Sequence, residues 1–490
     1  MENHDQAYHI WRNSAVKQKI LIHIDAHHDI GLIRKGVQLT IANFICKALE
    51  EGIVKEVFWV VPDKSWETRK TRKPVLSHLK SLARRYGGGP VPVSIMPERM
   101  STFLWGRKLT VLTLGQLPDL NEPVLLDIDI DYLVIPRVSY RKTDEHSTLP
   151  WRWPDELLCG LDSRKIRTDL VTIAYSVEGG YTPLKWKYLG DELAARFNGE
   201  EPNTLCGMER MREGARLAEQ KEFNRAEEKY QEARKLLPES AAPAYHLALL
   251  CCEKGQIAQG QAWYQEALTK DSTYDTPYHN AAFPHLGDKR FEKAEQEFRQ
   301  VLAFNPTDAY AHLGLARIRF QKRKWEEARA LVRKTLELDE HLPDAHHIFG
   351  DLLVKEGRPR EAIEAYGRAL KLLFSGHKSV ETLIVTCTED NLLTDPGHYQ
   401  IHAKLAHLYA QKGLVREAIS GYEMSIAGGN YSILIYGHLA LLYMKERKFR
   451  RALEAFWGAL KSLPFDLTDG VINLMGGVLA PLKQGCQRGR

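Results

Sequence analysis

A chain of 490 residues, 44% hydrophobic and 27% charged, has the composition of ordinary globular protein with room for two to four domains, which excludes a disordered chain. Its 68 basic and 63 acidic residues leave a formal charge of +5, too balanced to point to nucleic acid, and no apolar run reaches the roughly 18 residues of a membrane span. The polar, acidic start is unlike a signal peptide, and seven cysteines without CxxC spacing fit neither a disulfide framework nor a zinc ribbon, so a cytoplasmic protein with reduced, mostly buried cysteines is expected.

The first 200 residues alternate short β-branched or aromatic runs (19–24, 57–61, 91–95, 109–114, 124–130, 170–174) with helical stretches, the pattern of an α/β domain with a mainly parallel sheet. Ligands in such sheets bind beyond the carboxyl ends of the strands, so the polar residues after each apolar run are the ones to follow.

Three such places stand out. After the first run come Asp25, His27 and Asp29, with His28 between them; in an extended segment the alternating three point to one side. In the fifth, Asp127, Asp129 and Asp131 alternate with isoleucines, and like charges two residues apart repel unless a cation lies between them. After the sixth, Ser176-Val177-Glu178-Gly179-Gly180-Tyr181 offers a tight glycine turn and a carboxylate, Glu178, able to hold a cationic group. So many carboxylates in one cleft imply one or two divalent metals; oxygen-rich ligands with histidine and no cysteine favour Mn²⁺, with Zn²⁺, Fe²⁺ and Co²⁺ left open.

Asp25-Ala26-His27-His28-Asp29 resembles the D-A-H-x-D motif of arginases, agmatinases and related ureohydrolases, and Asp127-Ile128-Asp129-Ile130-Asp131 resembles their S-x-D-x-D motif, with Asp127 in place of the serine. The short domain, the Glu2-Asn3-His4 start and the Gly180-Tyr181-Thr182-Pro183 loop look closest to a divergent branch of that family that includes peptide arginases. The resemblance implies an arginase-like three-layer domain over residues 1–200 holding two metal ions, most simply Mn²⁺. His4, Asp25, Asp29 and Asp129 would hold one ion and Asp25, His27, Asp129 and Asp131 the other. It also implies the reaction: a hydroxide bridging the metals attacks the guanidinium carbon of an arginine side chain in a peptide, leaving ornithine and urea. Glu178 is the candidate guanidinium anchor; His28, with His78 and His146 as alternatives, is the candidate for the proton-shuttling histidine.

From about residue 205 the chain repeats every 34 residues. The register is Ala226-Tyr230-Ala233, Gly260-Tyr264-Ala267, Ala294-Phe298, Ala328-Val332-Thr335, Ala362-Tyr366-Ala369, Ala418-Tyr422-Ser425 and Ala452-Phe456-Ala459. Pro238, Pro306 and Pro464 fall where a proline closes the second helix of a hairpin. This closely resembles the tetratricopeptide repeat family and implies an all-α superhelix of seven repeats over residues 205–465, interrupted near 375–400, followed by a tail over 466–490.

A peptide-binding array beside a ureohydrolase-like domain suggests an arginine-containing peptide or protein substrate, with a protein partner on the repeats and neither nucleic acid nor membrane involved. Two alternatives remain from the sequence: a deacetylase-like amidohydrolase of the same fold with one metal, and a repeat scaffold whose first domain is inactive.

Overall fold

The computed structural model describes residues 1–2, 4–30, 39, 43–86, 93–138, 148–178, 180–280, 282–287, 289–375, 377, 396–428, 430 and 432–461. They fall into two compact units, one spanning Met1–Leu338 and one beginning at Asp339.

The first unit is built on a seven-stranded sheet: β1 (Lys19–Ile24), β2 (Val54–Val60), β3 (Ser94–Ile95), β4 (Met100–Leu104), β5 (Arg107–Leu112), β6 (Val124–Asp129) and β7 (Thr168–Ala174). The order is β3-β4-β5-β2-β1-β6-β7; the five strands from β5 to β7 run parallel, and β3 and β4 are antiparallel additions at one edge. The sheet is thus mixed, with a parallel majority.

Strand β1 is buried on both faces, which is why it reads as an almost unbroken apolar run. Ile20, Ile22 and Ile24 share one core with Leu126, Ile128 and the helices α5 (Pro154–Ser163) and α6 (Tyr188–Asn198). Leu21 packs in the opposite core with Val57, Trp59 and the helices α1 (Gln6–Asn13), α2 (Phe44–Glu50) and α3 (Arg69–Tyr86). Helices therefore cover both faces of the sheet. A four-residue helix, α4 (Asp131–Val134), follows β6 directly.

Strand β4 is absent from the sequence reading. Its alternation is real, with Met100, Thr102 and Leu104 buried, but short and half polar. The stronger signal was the turn: Trp105 and Gly106, at φ 49° and 75°, form the two-residue left-handed connection that joins antiparallel strands.

Four helical hairpins complete the first unit: α7 (Pro202–Glu219) with α8 (Phe223–Leu236), α9 (Ala242–Glu253) with α10 (Ile257–Lys270), α11 (Ala282–Gly287) with α12 (Phe291–Phe304), and α13 (Ala309–Gln321) with α14 (Trp325–Leu338). The second unit holds α15 (Pro343–Lys355) with α16 (Pro359–Phe374), α17 (Pro396–Gln411) with α18 (Val415–Ala427), and α19 (Ile433–Lys445) with α20 (Phe449–Lys461). The repeated aromatic of the pattern packs against a glycine of the partner helix in two hairpins. A Cβ on Gly214 would sit 2.5 Å from Cε1 of Tyr230, and one on Gly350 would sit 2.5 Å from Cε1 of Tyr366, so each aromatic ring uses the space of a missing side chain on the partner helix. Pro238 and Pro306 stand just beyond the ends of α8 and α12. Pro464, most of the 375–400 insertion and the 466–490 tail lie outside the described residues.

The sheet domain and the first hairpins share one core. Trp186, Tyr188, Leu189 and Leu193 pack in the same cluster as Met208, Met211, Tyr230, Leu247 and Leu250. Polar links reinforce it: the His246 Nε2–H donates to the Lys185 carbonyl at 2.8 Å and the Lys187 ammonium to Asp271 at 2.6 Å. Trp153 and Trp186 are core residues. Of the five described cysteines Cys46 and Cys251 are buried and Cys159 is exposed, so burial is less general than expected. No helix among the described residues is long and apolar enough to cross a membrane.

Candidate metal centre

The chain runs outward from β1 to β2 and β5 on one side and returns to β6 and β7 on the other, so β1 and β6 are neighbours at the point where strand order reverses. Their register sets His23 opposite Asp127, and the crevice beyond their carboxyl ends is where such sheets place ligands.

The pocket there has a volume of about 20 Å³, about the space of one water molecule. His4, Asp25, His27, Asp29, Asp129 and Asp131 all border it, and so does Glu178 at its exposed rim. Glu2, Ser176 and Tyr181 complete the wall. His28 is not among the lining residues: its ring stacks on His78 at 3.6 Å between centroids and meets Trp59 edge-on. His146 lies outside the described residues, as does Gly179.

Two details of the sequence expectation need correcting. Asp25, His27 and Asp29 do not converge as an extended strand. β1 ends at Ile24, the His27 N–H donates to the Asp25 carboxylate at 2.6 Å, and Asp29 is left-handed at φ 43°, so a turn brings the three side chains together. Likewise β6 ends at Asp129, and Asp131 opens a helical turn in which its own N–H donates to Asp129 Oδ1 at 3.0 Å. That turn aims Asp131 Oδ2 at His27 Nδ1, 2.7 Å away.

His4 reaches the site from the turn before α1. Its Nε2–H donates to Asp127 Oδ2 at 2.7 Å, which points Nδ1 at Asp29 (2.9 Å), Asp129 (3.2 Å) and Asp25 (3.4 Å). His23 donates from Nδ1 to the same Asp127 oxygen at 2.9 Å and presents Nε2 to Asp25 Oδ2 at 3.2 Å. Asp127 Oδ1 accepts from the Thr172 hydroxyl at 2.6 Å, and Asp129 Oδ2 accepts from the Ser176 hydroxyl at 2.5 Å. The Glu2 carboxylate accepts the backbone N–H groups of Val177 (2.7 Å) and Glu178 (2.8 Å), tying the start of the chain to the loop after β7.

The electrostatics show a site short of positive charge. Burial opposes ionisation of Asp29 and Asp131, and neighbouring aspartates add repulsion, Asp25 for Asp29 and Asp129 with Asp25 for Asp131; both acids titrate above their usual range. Burial would also lower the two inner histidines, but their aspartate partners outweigh it: His4 rises well above its ordinary value and His23 to about 9. Burial acts against Asp127 and Asp25 as well, yet the histidines prevail and hold Asp127 at about 2 and Asp25 well below the carboxylate range.

The donor chemistry suits a cation. His4 Nδ1, His23 Nε2 and Asp25 Oδ2 are buried and form no hydrogen bond of good geometry, meeting their neighbours only in ion-pair contacts. His4, His23 and Asp25 form one group whose ligand atoms all lie within 4.8 Å of one another; Asp25, His27 and Asp131 form another, and Asp25 is common to both. The sequence reading missed His23, the bracing role of Asp127, and Ser176. For His23 the signal was present, since the alternation of Asp25 and His27 extends back to it by one step.

A separate groove of about 1220 Å³ lies against the first hairpins, lined among others by Lys185, Trp186, Tyr230, His246, Glu253 and Phe304.

Residues 285–348 and 343–372 each match a model of the tetratricopeptide repeat, so the helical hairpins over those residues are tetratricopeptide repeats. A tetratricopeptide repeat and J domain-containing co-chaperone of Fusarium oxysporum f. sp. lycopersici is 29% identical over 126 residues, 24% of this chain and 24% of the relative. The chain thus matches about a quarter of that relative's length. Among solved structures, MamA is 22% identical over 36% of this chain and 92% of its own, with a TM-score of 0.28. YrrB, described as a TPR protein with an unusual peptide-binding site, is 17% identical over 49% of this chain and 94% of its own, with a TM-score of 0.25.

Proposed function

We propose that the α/β domain is a two-metal hydrolase of the ureohydrolase type acting on arginine side chains of a peptide or protein, which the repeats recruit. The observation behind this reading is the buried group of His4 Nδ1, His23 Nε2 and Asp25 Oδ2, none of which forms a hydrogen bond of good geometry, beside the second group of Asp25, His27 and Asp131. Hydrogen-bonding atoms are seldom left orphaned in an interior, and clustered carboxylates repel unless a cation lies among them.

His4, Asp25, Asp29 and Asp129 would hold one divalent ion, and Asp25, His27, Asp129 and Asp131 the other, with Mn²⁺ the simplest choice for this donor set. When bound, such ions supply an acidified water as nucleophile and positive charge to offset the carboxylates. Ser176 steadies Asp129 through its 2.5 Å hydrogen bond, and Asp127 steadies His4. Glu178, at the exposed rim and held in place through its backbone by Glu2, is set to receive a guanidinium as it enters. Tyr181 meets the ring of His27 edge-on at 5.1 Å and narrows the entrance. The geometry gives His28 no proton-transfer role, because its ring is stacked on His78 away from the pocket wall.

The groove along the first hairpins is wide enough to receive an extended segment, and acidic and basic side chains line it in equal number.

The test is urea release by the purified chain with Mn²⁺ on arginine-containing peptides, beside free arginine and agmatine, with Asp129→Asn as control. Urea from peptides, lost in the variant, is the expected result; no urea from any substrate would overturn the reading. A second reading, a protein-binding scaffold without catalysis, is favoured by the placement of both repeat-model matches within the hairpins. It predicts that partner capture persists in Asp129→Asn and that neither protein releases urea.

A further inference from the structure

The ligand set proposed above takes one histidine besides His27, namely His4. His23 is outside that set, yet it is fully buried near the carboxyl end of β1, beside Asp25. Its surroundings leave its tautomer no choice. A carboxylate only accepts hydrogen bonds, so Asp127 Oδ2, at 2.9 Å from His23 Nδ1 and 2.7 Å from His4 Nε2, draws an N–H from each ring. The other nitrogen of each ring faces Asp25 Oδ2, His23 Nε2 at 3.2 Å and His4 Nδ1 at 3.4 Å, and His4 Nδ1 also meets Asp29 and Asp129 at 2.9 and 3.2 Å. Without an ion, the positive charge among these carboxylates is supplied by the protons on the two rings; a divalent ion would displace those protons and take both nitrogens and Asp25 Oδ2 as ligands. Ligands about 2.1 Å from a common ion lie about 3.0 to 3.4 Å apart in octahedral or tetrahedral arrangement, and both separations fit that range.

We infer that His23 is itself a metal ligand, so that one ion of the pair is held by two imidazoles, His4 and His23, with Asp25, while the other is held by the single imidazole of His27 with Asp25 and Asp131. This rests on the two-metal reading above and deepens it, because it makes the two positions chemically unlike. The position with two imidazoles favours borderline ions such as Co²⁺ or Zn²⁺ more strongly than the position richer in oxygen. A single aspartate bracing two histidines also fixes both rings before any ion arrives, which lowers the ordering cost of binding.

Co²⁺ titration of the full chain, followed by its visible ligand-field spectrum and by metal content after gel filtration, tests this without reference to catalysis. The wild type should take up two ions in two phases. His23→Ala should lose the tighter phase and keep one ion, while His27→Ala should keep the tighter phase. Should His23→Ala fail to fold by circular dichroism, X-ray absorption of the Co²⁺-loaded wild type still counts the imidazoles: three shared between the two ions support the inference and two refute it. Two ions bound by His23→Ala with the wild-type spectrum would also overturn it and leave the two-metal reading standing. No ion bound by the wild type would overturn both.

Discussion

Replacing Asp127 by asparagine tests how far the centre depends on a residue outside the pocket wall. Asp127 is fully buried and accepts three hydrogen bonds, from His4 Nε2 at 2.7 Å, His23 Nδ1 at 2.9 Å and Thr172 Oγ1 at 2.6 Å. Asparagine is nearly the same size and retains one carbonyl oxygen. It can serve both imidazoles only if its amide nitrogen turns toward Thr172, whose hydroxyl then has the Leu126 carbonyl, at 3.5 Å, to donate to. The fold survives this exchange, but two charge-assisted hydrogen bonds become neutral ones. Each such change costs about 1 kcal/mol, so the two imidazoles together lose about 2 kcal/mol of orientation and basicity. That corresponds to a drop in metal affinity of about 30-fold, inside the range of about 10- to 100-fold typical of residues that orient metal ligands. Competition against a chromophoric chelator at fixed pH reads the affinity, and far-UV circular dichroism checks the fold. An affinity within about threefold of wild type in a folded Asp127→Asn protein would refute the reasoning, because His4 and His23 would then need no anionic brace.

Other expectations follow from the same geometry. Removing divalent ions with EDTA should lower the thermal transition of the first unit: two sites filled at about a hundred times their dissociation constants contribute about 5 kcal/mol, on the order of 10 °C. His4→Ala should abolish about half of that metal-dependent shift in calorimetry, because His4 serves only one of the two sites. Two glycine-to-alanine changes within repeat helices should have opposite signs in chemical denaturation. At Gly314 a Cβ would lie 2.1 Å from the Phe298 ring, so alanine should destabilise by about 1 to 3 kcal/mol, whereas at Gly367 nothing lies within 4 Å and alanine should stabilise by up to about 1 kcal/mol. His246 supplies a pH test. Burial, together with the Lys185 charge, lowers its pKa to about 4, although its bond to the Lys185 carbonyl opposes the shift. The unfolded chain takes up the proton near pH 6.5 and the folded one does not, so stability should fall as pH drops from about 6.5 to 4, by at most about 3 kcal/mol. The His246→Gln protein should show a flatter pH profile across that window; an unchanged slope would count against the assignment.

The legibility of this chain varied with how local each signal was. Asp25, His27 and Asp29 were readable because three chemically loaded residues fall within five positions at the end of an apolar run, and Asp129 and Asp131 for the same reason. The path by which they meet was not readable. It depends on the turn at Asp25 and the left-handed backbone of Asp29, which the alternating pattern misrepresents as a straight strand. His28 illustrates the cost: adjacent to the motif in sequence, it is turned by that backbone toward His78. His4 and Ser176 lie far from the motif along the chain, and only the sheet order brings them to it. The repeat half was easier, since a small residue and an aromatic four positions later recur with a fixed period and pack alike in both units. Phe456 departs from its equivalents by remaining 41% exposed in the last hairpin.

The shared core of the sheet domain and the first hairpins bears on how such a chain can be cut and recombined. Sequence reading places a seam near residue 200, where the rhythm changes from strands to helices, yet Trp186, Tyr188, Leu189 and Leu193 on one side of it interlock with Met208, Met211, Tyr230 and Leu250 on the other. A gene fusion or truncation made at that seam would leave a wide apolar scar on each fragment. Exchange of repeat segments between chains of this design is therefore easiest beyond the opening hairpins, and those hairpins belong, in folding, with the sheet domain.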